Sequence, residues 1–217
     1  MKADGSGRKK CVVGKVLSRS ARKRLDIVNA AVKLFSEHAY GDVSMDAVAA
    51  EAGVSKRTVY SHFTSKEALF AEVMTEYCTT VREQAQLALK ECSCMEDSLR
   101  GYAQTLLTFL YDPGQIAILR AFIGQAEQFP DLGRRFYESG PGETLRQFSA
   151  ELARWVKSGD LKLSDPERAA ASFFGALVSI RFMGCLLNCQ CLPDEEERNK
   201  MVDQAIGMFL HGCRAGC

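Results

Sequence analysis

The chain is 217 residues long, 47% hydrophobic and 25% charged, with a net charge of +1, the balance of an ordinary soluble globular protein with one mid-sized core or a small domain fused to a larger one. No uninterrupted apolar run approaches the ~18 residues needed to cross a bilayer, and Cys11-Val12-Val13 is too short for a signal-peptide core, so no membrane partner and a cytoplasmic location are expected. Only five prolines occur and long stretches lack strand-like alternation, which favours an all-α fold.

Charge is distributed unevenly. Residues 1–24 carry nine basic side chains against one acid, Asp4, a segment charge of +8 that leaves −7 for the rest of the chain. A basic arm over 1–19 suits a protein that meets a polyanion at one end, although a charge run by itself equally describes a solvated, disordered tail. Behind the arm, Leu25, Val28, Ala31, Val32 and Phe35 share one helix face, predicting a helix over about 20–38 that stops near Gly41. Ser44 offers an N-cap for a short helix carrying Met45, Val48, Ala49 and Ala52, which Gly53 ends. Ser55 caps a second short helix through Val59 to about Phe63. Thr64 and Glu67 have capping-box spacing and open a long helix in which Phe70, Val73, Met74, Tyr77 and Val81 form an apolar stripe, running to about Leu89.

Further helices are predicted at about 95–110, 114–128, 132–157, 165–188 and 194–211, punctuated by Pro113-Gly114 and Phe129-Pro130-Asp131. Gly140-Pro141-Gly142 should kink or break the segment it interrupts. Ser164-Asp165-Pro166-Glu167 is a helix start with Ser at the cap. The expected architecture is about nine helices, three short ones in front of a larger bundle.

The informative stretch is SMDAVAAEAGVSKRTVYSHFTSKEALF, Ser44 to Phe70. Two short helices meet at a glycine turn, small Ala49 and Ala50 let them approach, and Val48, Val54 and Val59 fill the wedge. The second helix then exposes Lys56, Arg57, Thr58, Ser61 and His62, and a DNA major groove admits one such helix with its N-terminal residues nearest the base edges. The run AGVSKRTVYSHFTSKEALF resembles the signature of the TetR family of repressors over about residues 22–72. That resemblance implies a helix-turn-helix DNA-binding domain (20–64), an effector-binding and dimerisation domain (65–217), and repression of palindromic operator DNA by a homodimer, relieved by a small molecule. It also implies that Ser44, Tyr60 and Lys66 contact phosphates, while Ser55, Lys56, Arg57, Thr58, Ser61 and His62 line or read the groove. Arg57 is the best candidate for a base contact, since Arg pairs well with guanine. Arg19, Arg22 and Lys23 are placed to reach phosphates or an adjacent minor groove.

The C-terminal two-thirds holds most of the aromatics. From these, Phe109, Phe122, Trp155 and Phe174, with the polar Glu127 and Arg181, are candidate effector-binding residues; the same side chains serve equally as core. Gln125 to Gly142 resembles the C-terminal domain of an AefR-like branch of the family, which implies control of an efflux or detoxification operon. The helices at 165–188 and 194–211 are the expected dimer interface, with Ala169, Ala170, Phe173, Ala176, Leu177 and Ile180 as an apolar face. A dimer is required to read a palindrome, because two recognition helices must lie about one DNA turn apart.

Nine cysteines in an odd count argue against a disulfide scaffold. The groupings Cys92/Cys94, Cys185/Cys189/Cys191 and Cys213/Cys217 leave three readings open: inert thiols, a thiol redox switch, or a soft-metal site, which lacks an accompanying His. No metal and no cofactor are expected. The three histidines stand beside no nucleophile, and no phosphate-binding glycine loop is present, so an enzyme is not expected. The alternative function is a redox-sensing or activating DNA-binding regulator.

Overall fold

The computed structural model describes residues 18–91 and 94–213; the expectations for the arm over 1–17 and for Cys11, Cys92 and Cys217 lie outside that range, as do those for the side chains of Tyr77 and Cys213. The architecture is all-α: α1 Arg19–Glu37, α2 Met45–Glu51, α3 Lys56–His62, α4 Lys66–Glu91, α5 Met95–Leu110, α6 Pro113–Ile123, α7 Pro130–Ser139, α8 Pro141–Ser158, α9 Pro166–Leu186 and α10 Glu195–Cys213, with a 3-10 turn at Tyr40–Asp42.

Side-chain caps set most of the starts. Ser18, Ser44 and Ser55 accept from the amides of Ala21, Ala47 and Thr58, and Asp112 from that of Gln115. Each such cap contributes about 1 kcal/mol. Two caps differ from expectation by one residue. α4 is capped by Ser65, which accepts from Ala68 N at 3.2 Å, because the buried Phe63 keeps the chain extended past Thr64. α9 is capped by Asp165 rather than Ser164. α6 ends at Gly124, short of the expected 128, with turns following.

Two cores form. In front, Ile27, Val28, Ala31 and Phe35 of α1 meet Val48, Val59, Leu69, Phe70, Val73 and Met74. Leu25, expected on that face, is instead 37% exposed. The rear core gathers Val81, Ala85 and Leu89 of α4 with α5, α8, α9 and α10 around Tyr102, Phe148 and Phe173. The boundary expected at 64/65 is therefore not where the front unit ends: the first half of α4 belongs to it. Ile118 and Phe122 of α6 and Leu132 of α7 complete the front core as well. Arg82 of α4 fixes α7 from the other side by donating to Ser139 O.

The expected interruption at Gly140 is a full break between α7 and α8. A Cβ there would lie 2.7 Å from Cys78 Sγ and 2.9 Å from Phe136 O, so only glycine lets α4 approach this closely. On α9, Ala170, Phe173 and Leu177 are buried within the protomer and Ala169 and Ala176 pack against the same core, so all of the face assigned to a dimer except Ile180 is internal. The exposed large apolar side chains of this end are Ile180, Met183 and Leu187, and Met208 is exposed on α10. By length and composition alone α9 passes as long and apolar enough to cross a membrane, although Glu167, Arg168 and Arg181 interrupt its apolar run. Only 22% of that stretch is buried in the chain.

Gly140→Ala should destabilise the protein by about 1–3 kcal/mol through overpacking. Gly133→Ala, where the added methyl meets open space, should be neutral or slightly stabilising. Thermal denaturation of both variants checks the pair.

Candidate nucleic-acid interface

The α2–α3 pair is built from its turn outward. Gly53 has φ +64, a conformation that costs glycine nothing and other residues strain, and it turns the chain so that Val54 N donates to Ala49 O at 3.0 Å. Val59, fully buried, anchors α3 against Val48 and Ala49. With one side locked inward, Ser55, Lys56, Arg57, Tyr60 and Ser61 are exposed and Thr58 and His62 are half-buried. Ser44, at the start of α2, is exposed too.

These groups are not equivalent. Ser55 and Thr58 share a 2.9 Å hydroxyl contact, and Ser61 Oγ donates to Thr58 O at 2.7 Å. Lys56 is held by Asp46 of α2 at 2.9 Å. Arg57 has no hydrogen bond or ion pair among the described residues, which leaves its five donors for a partner outside the chain. Arg22 is exposed on α1, Lys23 half-buried. Arg24 is drawn inward, pairing with Glu72 at 2.5 Å and lying 5.2 Å over the Phe63 ring.

Lys66, expected to grip a phosphate, is committed elsewhere. Its Nζ donates to Tyr40 O at 2.8 Å and sits 4.3 Å above the Tyr40 ring. The Tyr40 hydroxyl donates to Glu67 Oε1 at 3.3 Å, and its ring packs against Phe35 and Phe70. Tyr40 is thus the hub fastening the α1–α2 connection to α4, a part the sequence pattern did not disclose; its place between Phe35 and Ser44, in a segment taken for a breaker, was the available signal. Burial, and then Glu67, pushes the Tyr40 hydroxyl's pKa up. The amide at the start of α4, and then the Ser65 hydroxyl, holds the Glu67 carboxyl below its usual 4.5.

The six expected effector residues do not line one cavity. Phe109 borders a groove of ≈ 740 Å³ between α4 and α5. Phe122 packs in the front core against Phe70 and Phe136. Glu127 is exposed in the turns after α6. Trp155 lines a cleft of ≈ 550 Å³ with Ser98, Lys90 and Arg154. Phe174 faces Tyr102 and Phe148, and Arg181 pairs with Glu197 at 2.9 Å. Among the described residues, no three His, Cys, Asp or Glu side chains converge as a metal site would need.

Comparison with known proteins bears on this geometry. Residues 27–73 match the family described as bacterial regulatory proteins, tetR family, and residues 97–212 match the AefR-like transcriptional repressor C-terminal domain. The fold is similar to that of a TetR-family regulator from Mesorhizobium loti MAFF303099, at 31% identity and TM-score 0.86 over 92% of this chain and 100% of that one. It is also similar to the flavonoid-responsive regulator FrrA, at 30% identity and TM-score 0.69 over 90% and 99% of the two chains. The HTH-type transcriptional regulator YhgD of Bacillus subtilis is 27% identical over 74% of this chain and 83% of its own length.

A carboxyl held low in the fold adds stability above its unfolded pKa and loses it as pH falls through the folded value. Glu67→Gln should therefore lower Tm at neutral pH, and the gap to wild type should close as pH drops below 4.5. A gap independent of pH would remove the Glu67 charge from the account.

Proposed function

Because the chain belongs to the TetR family of DNA-binding transcriptional regulators, we propose that it is a repressor that occupies a palindromic operator in the cytoplasm as a homodimer and is released by a small effector. The single observation that supports operator reading best is Arg57, exposed and without a partner among the described residues, on a helix whose back is locked by Val59. Ser55, Lys56, Thr58, Ser61 and His62 would line the groove around it, and Ser44 and Tyr60 would meet the flanking phosphates. For Lys66 the proposal is now indirect: it positions α2 through Tyr40.

The dimer would form on the exposed side chains of Ile180, Met183, Leu187 and Met208, since apolar area of this kind on two adjacent helices is stabilised by being covered. The effector would enter the rear core. Tyr102 is 1% exposed and its hydroxyl has no partner among the described residues, and a buried unsatisfied hydroxyl costs about 1–3 kcal/mol. It stands against Phe148 at 4.7 Å and Phe174 at 6.2 Å, with Ser98 one turn away on the Trp155 cleft. An aromatic ligand with one hydrogen-bonding oxygen fits that setting, and a flavonoid-like compound is the first to try, given the resemblance to FrrA. Control of an efflux or detoxification operon follows by the same analogy.

Selection of bound fragments from genomic DNA tests the reading. Arg57→Ala should change which operator bases matter, costing about 1–3 kcal/mol at its base pair; an equal loss on every sequence would make Arg57 a phosphate clamp. The double variant Ile180→Glu, Met183→Glu should sediment as a monomer and lose at least about tenfold in operator affinity. A dimer that persists would move the interface elsewhere.

A further inference from the structure

The end of α9 is built around two positive-φ residues, Ser179 and Asn188. Ser179 takes φ 48 and ψ 174 inside the helix, a strained conformation for a residue with a Cβ, and divides the last turns, 180–186, from the rest. Those turns close on Asn188 at φ 58, a position that Asn tolerates better than most side chains. The chain then doubles back, with Cys189 N and Gln190 N both donating to Gly184 O at 2.8 and 3.2 Å. A side chain on Gly184 would collide with Gln190 at 2.8 Å. The reversal carries Cys191 onto Cys185, whose thiol donates to Cys191 O at 3.4 Å.

Both thiols border a cleft of ≈ 330 Å³ between α6 and the end of α9, with Arg120 and Cys189. Cys185 is buried and Cys191 exposed, so one is protected and the other open to a solute. Arg120 of α6 reaches across and donates to Cys185 O at 2.6 Å and Leu186 O at 2.7 Å, holding the last carbonyls of α9. Arg181 donates to Cys191 O and to Glu197. Burial pushes the Cys185 thiol's pKa up, and the two guanidiniums pull it back. On the wheel of the 180–186 turns, Cys185 lies opposite the Ile180, Met183 and Leu187 stripe, so a dimer on that stripe leaves the cleft accessible.

We propose that Cys185 and Cys191 form a hydroperoxide-sensitive dithiol whose oxidation weakens operator binding; the second half of this rests on the repressor reading above. Cys191 Sγ attacks the peroxide, taking one oxygen as sulfenic acid and releasing the alcohol. Cys185 Sγ then attacks Cys191 Sγ, expelling that oxygen as water. Two thiols and one hydroperoxide yield one disulfide, one alcohol and one water, the two electrons passing from sulfur to the O–O bond. Closing the two thiols to a bond of about 2.05 Å moves the 185–191 reversal, and with it the carbonyls that Arg120 holds. Arg120 belongs to the helix that inserts Ile118 and Phe122 into the front core, and the reversal also carries Leu187 of the proposed dimer stripe. Both connections lead to the spacing of the α3 helices.

The test treats reduced full-length protein with an organic hydroperoxide, blocks free thiols, maps links by peptide mass spectrometry, and measures affinity for a mapped operator in parallel. The expected result is one intramolecular Cys185–Cys191 link, reversed by dithiothreitol, with operator affinity reduced about tenfold. Cys191→Ser should bind operator as the reduced wild type does and ignore peroxide. A Cys189–Cys191 link, a link between protomers, or two unreacted thiols overturns the proposal. A Cys185–Cys191 link that leaves operator affinity unchanged overturns its regulatory half. Reduced protein that prefers no natural fragment defeats the repressor reading instead, and the mass map still decides the thiol chemistry.

Discussion

The structure depends on one helix being shared between two cores. α4 buries Leu69, Phe70, Val73 and Met74 in front and Val81, Ala85 and Leu89 behind, and its 26 residues extend about 39 Å. A continuous hydrogen-bonded helix curves gently but does not kink sharply without a local cause, so α4 ties the two cores together as one stiff element. α6 and α7 add a second path, because each places side chains in the front core while lying in the rear of the chain. Gly140 marks how close the fit is: α7 and α8 approach α4 to within a distance that excludes a methyl group.

Against that rigid frame the DNA-facing surface is made by small local devices. A positive-φ glycine sets the angle of α2 against α3, two serine caps satisfy the exposed amides, and Val59 locks the roll of α3. The exposed polar face is what remains once these demands are met. Tyr40 adds the external brace, with its carbonyl, ring and hydroxyl each occupied by the first turn of α4. A recognition helix held this way presents its donors with little freedom to lose on binding.

The rear half is rigid and unsettled at once. Its core is aromatic and closely stacked, yet it encloses a tyrosine hydroxyl without a partner among the described residues, and its longest helix after α4 is broken at Ser179 and exposes Ile180, Met183 and Leu187. Each feature opposes the stability of an isolated, ligand-free protomer. Under the proposed function, a ligand oxygen would satisfy the first and a second copy of the chain would cover the second. Such elements are where a two-state regulator keeps its alternative conformation.

The all-α class, the helix order and the helix-turn-helix were legible in the residues because their causes are local. The caps at Ser44 and Ser55, Gly53, the periodicity of α1 and α4, and the Gly140-Pro141 break all act within a turn or two of chain. Tertiary packing decided the rest. Periodicity identifies an apolar face and not what covers it, so Phe173 and Leu177 looked like a dimer surface while serving as core, and Phe122 looked like a pocket residue while completing the front core. Lys66 and Tyr40 lie 26 residues apart, and Cys185 meets Cys191 only because of a left-handed Asn188 and a bare Gly184. Contacts of that kind depend on where the backbone returns, which no local pattern of side chains encodes.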